Sequence, residues 1–276
     1  MGAASIPLRQ QNQRCGCGQQ TANGKLDSAM IEFLYLGRTS YAEGLKLQAE
    51  AAAMRLRGQI GNLLLLLEHP PVLTLGRNAN RENILASADV LARRGVEVHE
   101  INRGGDVTYH GPGQLVGYPI FDLRSLKLPS GNRMGPVDFV RRIEEVMIRL
   151  CGHYGIRAGR VDKLTGTWIG AENPITARKI GAIGIHVSRG ITSHGFAFNL
   201  RTDLSDFSLI VPCGIADHAV TSLQSELMPS APLPSLEELA NESARLFGQV
   251  FEAHILAVDS FAALRARPIP APKPES

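Results

Sequence analysis

The sequence predicts an α+β fold, a single domain with a mixed β-sheet. Three observations carry this. β-like segments crowd the middle of the chain, helical stretches do not alternate strictly with them, and no internal repeat is present. At 276 residues the chain can bury a sizeable core, and length alone leaves one long domain or two small ones open.

Taken in order, Ser40 to Glu43 has the spacing of a capping box, and Leu45, Ala49, Ala52 and Leu56 recur on one helical face, giving a first helix to about Arg57. Leu63 to Glu68 and Val72 to Leu75 are apolar runs around His69-Pro70-Pro71, which reads as two buried strands joined by a rigid turn. Further strands are expected at Val96 to Ile101, Asp106 to His110, Leu115 to Ile120, Gly166 to Ile169, Lys179 to Val187 and Ile191 to Leu200. A second helix starts on Pro136 and runs to about Tyr154, with Phe139, Ile143, Met147 and Leu150 on one face and Cys151 beside them. A third opens on the capping box Ser235 to Glu238 and runs from Leu236 to about Ile255. Residues 1–29 read as a disordered leader, 30–257 as the folded domain, and 258–276 as a Pro-rich tail, extended from Arg267 onward.

Bulk properties exclude several function classes. A net charge of +3 with scattered basic residues argues against nucleic acid. The longest apolar run, Leu63 to Leu67, falls far short of the roughly 20 residues that cross a bilayer, so no membrane span is expected. Four cysteines (Cys15, Cys17, Cys151, Cys213) make no disulfide framework and suit a reducing compartment. Met1 to Asn23 has no apolar h-region of a secretory signal; lacking acids, this stretch leaves an organelle transit peptide open. No metal-binding histidine spacing and no G-x-S-x-G elbow occurs, so neither a metal nor a serine nucleophile is expected.

Candidate chemistry lies in four stretches. Arg103-Gly104-Gly105-Asp106-Val107-Thr108-Tyr109-His110-Gly111-Pro112-Gly113-Gln114 packs glycines, a cation and hydrogen-bonding groups into one turn, without Walker or Rossmann spacing. It is either a ligand-binding loop or a tight hairpin. Lys179 stands at the mouth of an apolar, glycine-rich strand running on through Ala182, Ile183 and Gly184, where a charge is costly unless partnered; it is a proton acceptor or a strand-end lysine reaching solvent. Ser193 to Asn199, with Gly195, Phe196 and Ala197, alternates as a strand lining a pocket would. Cys213, between Pro212 and Gly214, is either exposed on a turn as a nucleophile or a small buried hydrophobe. A thiol is mostly protonated at neutral pH and needs a neighbouring base, which its sequence neighbours do not supply.

Together and in this order, Arg103 to Gln114, Lys179 to Gly184, Ser193 to Asn199 and Pro212 to Ile215 resemble the signature blocks of the lipoyl(octanoyl) transferases, the LipB family, over roughly Ile31 to Ile255. The resemblance implies the catalytic fold of the biotin and lipoate protein ligases. It implies an acyltransferase that carries an octanoyl group on Cys213 as a thioester, with Lys179 as the activating base, and acyl-substrate contacts from Arg103, Gly104, Gly105, Asp106, Val107, Thr108, Tyr109, His110, Ala182, Ile183, Gly184, Gly195, Phe196 and Ala197. The implied donor is octanoyl-acyl carrier protein. The implied acceptors are lysines on lipoyl domains of 2-oxoacid dehydrogenase complexes and on the glycine-cleavage H protein. No cofactor, nucleic acid or membrane is involved, a monomer is expected, and the cytoplasm is the default compartment, with mitochondrion or plastid as alternatives. An ATP-dependent lipoate or biotin ligase, or a catalytically silent acyl-binding protein, are the competing readings on the same fold.

Overall fold

A computed structural model describes residues 30–211 and 219–271. Eleven strands and six α-helices follow one another: β1 Met30–Arg38, α1 Tyr41–Leu56, β2 Asn62–Glu68, β3 Val72–Leu75, α2 Ala88–Arg93, β4 Glu97–Glu100, β5 Val107–His110, β6 Gln114–Ile120, α3 Pro136–His153, β7 Ala158–Val161, β8 Leu164–Ile169, β9 Arg178–Ser188, β10 Ile191–Asn199, α4 Leu223–Glu226, α5 Leu236–Phe251, β11 His254–Ala257 and α6 Phe261–Arg265. They form one domain around an eight-stranded sheet of order β11-β1-β2-β6-β10-β9-β8-β7, with a three-stranded sheet β4-β3-β5 beside it. β1 runs parallel to both β11 and β2, whereas β2, β6, β10, β9, β8 and β7 pair antiparallel, so the large sheet is mixed as the sequence predicts.

β2 explains the unbroken leucine run. Leu64 and Leu66 join the cluster under α3 and α5, while Leu63, Leu65 and Leu67 join the cluster under α1 and α6. A strand covered on both faces has no solvent side and loses the polar alternation. α1 follows its expected start, with Ser40 accepting from the Glu43 amide, and both halves of the capping box form at Ser235 and Glu238 on α5.

Two boundaries differ from expectation. The third helix stops at Phe251 instead of continuing to about Ile255. Glu252 takes a left-handed conformation (φ 54°), the Ala253 amide closes on the Gly248 carbonyl at 2.9 Å, and residues 254–257 pair with β1 as a parallel edge strand. The stretch from 258, read as a tail, is packed as far as Arg267, whereas residues 268–271 are exposed. Phe261 and Leu264 on α6 bury against the α1 side of the sheet, and Arg267 reaches buried Glu32 at 2.7 Å. An apolar pair three residues apart is enough to dock one helical turn. β1, β7 and β11 were not legible as strands. No helix among the described residues is long and apolar enough to cross a membrane.

Candidate active site

The Arg103–Gln114 stretch is built against the open edge of β9 and lines a cavity there. β8 pairs with β9 only as far as Gly181, and beyond that point the Gly104 amide donates to the Ile185 carbonyl at 3.0 Å. Glycines make this approach possible: a Cβ on Gly184 would stand 2.8 Å from the Gly104 carbonyl oxygen and 3.0 Å from Arg103 Cδ. Arg103 is buried, and one guanidinium nitrogen donates to the Thr74 carbonyl at 2.7 Å and to Thr74 Oγ1 at 3.0 Å. Asp106 accepts from the amides of Val107 and Asn80 and from the Asn83 side chain, so it clamps the loop.

The pleat then sorts the predicted contacts. Thr108 and His110 on β5 line a cavity that opens to solvent, about 500 Å³ with that open space included, together with Arg103, Gly105, Asp106, Ala182, Ile183, Gly184, Gly195, Phe196 and Ala197. Val107 and Tyr109 point the other way, into a separate apolar cluster where Tyr109 Oη donates to Asp206 at 2.6 Å. Their side chains therefore face away from the cavity, as the period of two along a strand requires, and only their main chain runs beside it. Gly104 borders the neighbouring groove instead. Phe196 borders the cavity but turns its ring onto Phe247, with centroids 5.7 Å apart. A Cβ on Gly195 would stand 2.1 Å from the Gly117 carbonyl oxygen, so this strand crossing admits glycine only.

Lys179 sits where the cavities converge. It borders the groove formed by α3, the β7–β8 turn and β9, and also a small cavity that shares Thr108, Ala182 and Ala197 with the main one. Its Nζ lies 4.5 Å from the centre of the fully buried Trp168 ring, and its stem passes Gly166, where a Cβ would lie 3.4 Å from Lys179 Cε. Its main chain is tied to the segment 219–221: the Lys179 amide donates to the Ala219 carbonyl and the Thr221 amide to the Lys179 carbonyl, both at 2.9 Å. On the other flank the Val211 amide donates to the Asn83 carbonyl at 2.7 Å. Cys213 lies between these anchors in sequence, outside the described residues, as do Cys15 and Cys17. Cys151 is buried in α3, where desolvation pushes its thiol up to about 12, and it is inert as a nucleophile at neutral pH.

Sequence reasoning missed the polar half of the cavity. Tyr41, Tyr118 and His194 line it, with His69 packed directly behind Tyr41 and Tyr118. Burial lowers His69 and His194 to about 4 and His110 to about 3, so all three are neutral. Neutrality fixes the tautomers. His69 Nδ1 can only donate to the Thr39 carbonyl at 2.7 Å, so its Nε2 accepts from Tyr118 Oη at 2.7 Å. His110 Nδ1 donates to Gln114 Oε1, Gln114 Nε2 donates to Asn199 Oδ1, and Asn199 Nδ2 donates to the Thr221 carbonyl at 2.9 Å. A continuous buried chain thus links the cavity to the segment paired with Lys179. The one signal in the sequence was His69 itself, a histidine set between two largely apolar runs, which reads equally well as part of a rigid turn.

Comparison with known proteins bears on this geometry. The family model of the lipoyl protein ligase A/B catalytic domain matches residues 40–244. The chain is 55% identical over 233 residues to the octanoyltransferase of Acidobacterium capsulatum, covering 84% of this chain and 94% of that protein. It is 52% identical over 249 residues to the octanoyltransferase of Koribacter versatilis, covering 90% and 95%. Among solved structures, the bi-partite lipoate protein ligase of Thermoplasma acidophilum superposes with a TM-score of 0.60 at 17% identity, over 86% of this chain and 91% of that one. That likeness shows the shared fold.

Proposed function

The chain belongs to the lipoyl protein ligase A/B catalytic-domain family and is an acyltransferase; from this premise we propose that it moves an octanoyl group from octanoyl-acyl carrier protein to a lysine of lipoyl domains, through a thioester on Cys213. The acceptors are the lipoyl domains of 2-oxoacid dehydrogenase complexes and the glycine-cleavage H protein. The observation that carries the reading is the placement of Lys179 between a groove and a small cavity that shares Thr108, Ala182 and Ala197 with the main one, with its main chain bonded to residues that follow Cys213 closely in sequence.

Each step balances. Lys179 takes the Cys213 thiol proton, the thiolate attacks the donor carbonyl, and the carbon–sulfur bond to the carrier breaks as Lys179 returns the proton to the departing thiol. One thioester replaces another of similar energy. In the second half-reaction the acceptor amine attacks the enzyme thioester, an amide forms, the Cys213 thiolate leaves, and Lys179 receives the amine proton. Arg103, Gly105, Thr108, His110, Ala182, Ile183, Gly184, Gly195, Phe196 and Ala197 surround the octanoyl chain in this reading, and the residues without large side chains give it room.

Intact-mass measurement after mixing with octanoyl-acyl carrier protein tests it. A single octanoyl addition, removed by hydroxylamine and absent in Cys213→Ala, is expected without ATP. Loading that requires ATP and free octanoate and persists in Cys213→Ala would establish a ligase instead. Lys179→Ala is expected to slow acyl-enzyme formation at pH 7 by about a hundredfold or more.

A further inference from the structure

The groove beside Lys179 differs from the cavity in its place on the sheet and in its chemistry. The cavity lies on the α1 side of the β9–β10 pair, where Ala182 opposes Ala197 and Gly184 opposes Gly195. The groove lies on the α3 side, where Val137, Val140, Leu164, Ile183 and Ile185 form its walls. The two meet around the open edge of β9 at Gly105, Asp106 and Ala182 to Gly184. Val137 is 72% exposed on this wall although it is apolar. Arg141 on α3 and the exposed Lys163 on the β7–β8 turn also line the groove. Buried Glu144 braces Arg141, accepting from it at 2.7 Å, from Arg160 at 3.0 Å and from the Gly166 amide at 3.0 Å. The Arg141 guanidinium is thereby held in place while its side chain stays half exposed.

We propose that this groove binds the phosphopantetheine arm of the acyl carrier protein donor, with its phosphate between Arg141 and Lys163 and its thioester at Lys179. The proposal rests on the transferase reading above. A thioester donor has two arms diverging from the reacting carbon, and two spaces diverge from Lys179. The groove carries the exposed Lys163 and the half-exposed Arg141 on its lining, as an arm with a phosphodiester requires. Apolar walls with two cations beside them match a chain of methylene and amide groups that carries a phosphodiester. An acceptor lysine has four methylenes and no anion along its stem, so it makes no use of those cations.

The test splits the two half-reactions. Val137→Asp and Lys163→Gln change exposed side chains, and unchanged thermal melting confirms that the variants fold. Acyl-enzyme formation from octanoyl-acyl carrier protein at sub-saturating concentration should fall about tenfold in the double variant. Loading from octanoyl-N-acetylcysteamine, which lacks phosphate and carrier, should stay unchanged, as should discharge of preformed acyl-enzyme to a lipoyl domain. No loss with the carrier-bound donor, or an equal loss with the small thioester or in the discharge step, overturns the inference. If the unaltered protein loads from neither donor, the transferase reading fails instead.

Discussion

The two faces of the β9–β10 pair make opposite uses of the same strands. Towards α3 and α5, Phe196 and Phe198 pack into a dry aromatic cluster in which Phe121, Phe139, Phe247 and Phe251 stand with centroids 5.4 to 6.2 Å apart. Towards α1, the strands present Ala182, Gly184, Gly195 and Ala197, and the space left is bounded by buried tyrosines and neutral histidines. One face stores stability in contacts. The other gives up contacts and orders its histidines and Tyr118 through hydrogen bonds, which is what a binding site on a rigid scaffold requires.

The largest effect should come from breaking the packed face. Phe247 is fully buried, and its ring contacts those of Phe121, Phe196 and Phe251. Phe247→Ala is expected to cost roughly 3–5 kcal/mol of unfolding free energy in a denaturant titration. The acyl-loading rate per folded molecule should be unchanged at low temperature, because no atom of the cavity lining is removed. Loss of loading in the folded fraction would show that the faces are coupled.

Acidification strains the other face. His69, His110 and His194 bind protons near pH 6.5 when unfolded but only near 4, 3 and 4 when folded. Between these values the unfolded chain holds more protons, so stability is complete above about pH 6.5 and falls as pH drops. Each histidine contributes up to about 1.4 kcal/mol per pH unit in that window. Melting curves between pH 7 and 5 should show a steep fall, shallower in His110→Gln. A flat profile would mean that the histidines are solvated rather than buried.

Asn199→Ala cuts the chain between the two regions. It removes a side chain that donates to the Thr221 carbonyl and accepts from Gln114 and Thr202. We expect a loss of roughly 1–3 kcal/mol from the groups left unpaired. Acyl-enzyme formation should slow as well, since Thr221 is bonded to Lys179. Loading at the original rate despite the lost stability would remove Asn199 from any positioning role.

The packed face was far more legible in the sequence than the open one. Helical spacing marked Phe139, Ile143, Met147 and Leu150, and all four are buried on α3. Capping boxes marked where α1 and α5 begin. The glycine-rich loop stood out by composition, yet composition could not say that Thr108 and His110 face the cavity while Val107 and Tyr109 face away. Nor could it find the link from His110 through Gln114 and Asn199 to Thr221, because those partners lie up to 85 residues apart. The edge strand β11 was read as helix since four residues carry too little periodicity to overrule the pattern of α5.

The smallest effect should come from the cysteine on the packed face. Cys151 is fully buried among the α3 residues, with its thiol pushed up to about 12 by desolvation. Cys151→Ala removes one sulfur atom from a dense core, so a cost of about 1 kcal/mol is expected in a denaturant titration. Its acyl adduct should match that of the unaltered protein in mass, yield and hydroxylamine sensitivity. The contrast with Cys213→Ala is what matters: the same substitution at two cysteines should cost one variant stability alone and the other its acyl adduct. An adduct that weakened in Cys151→Ala would place reactive chemistry on the face that packing reserves for stability, and the division between the faces would not hold.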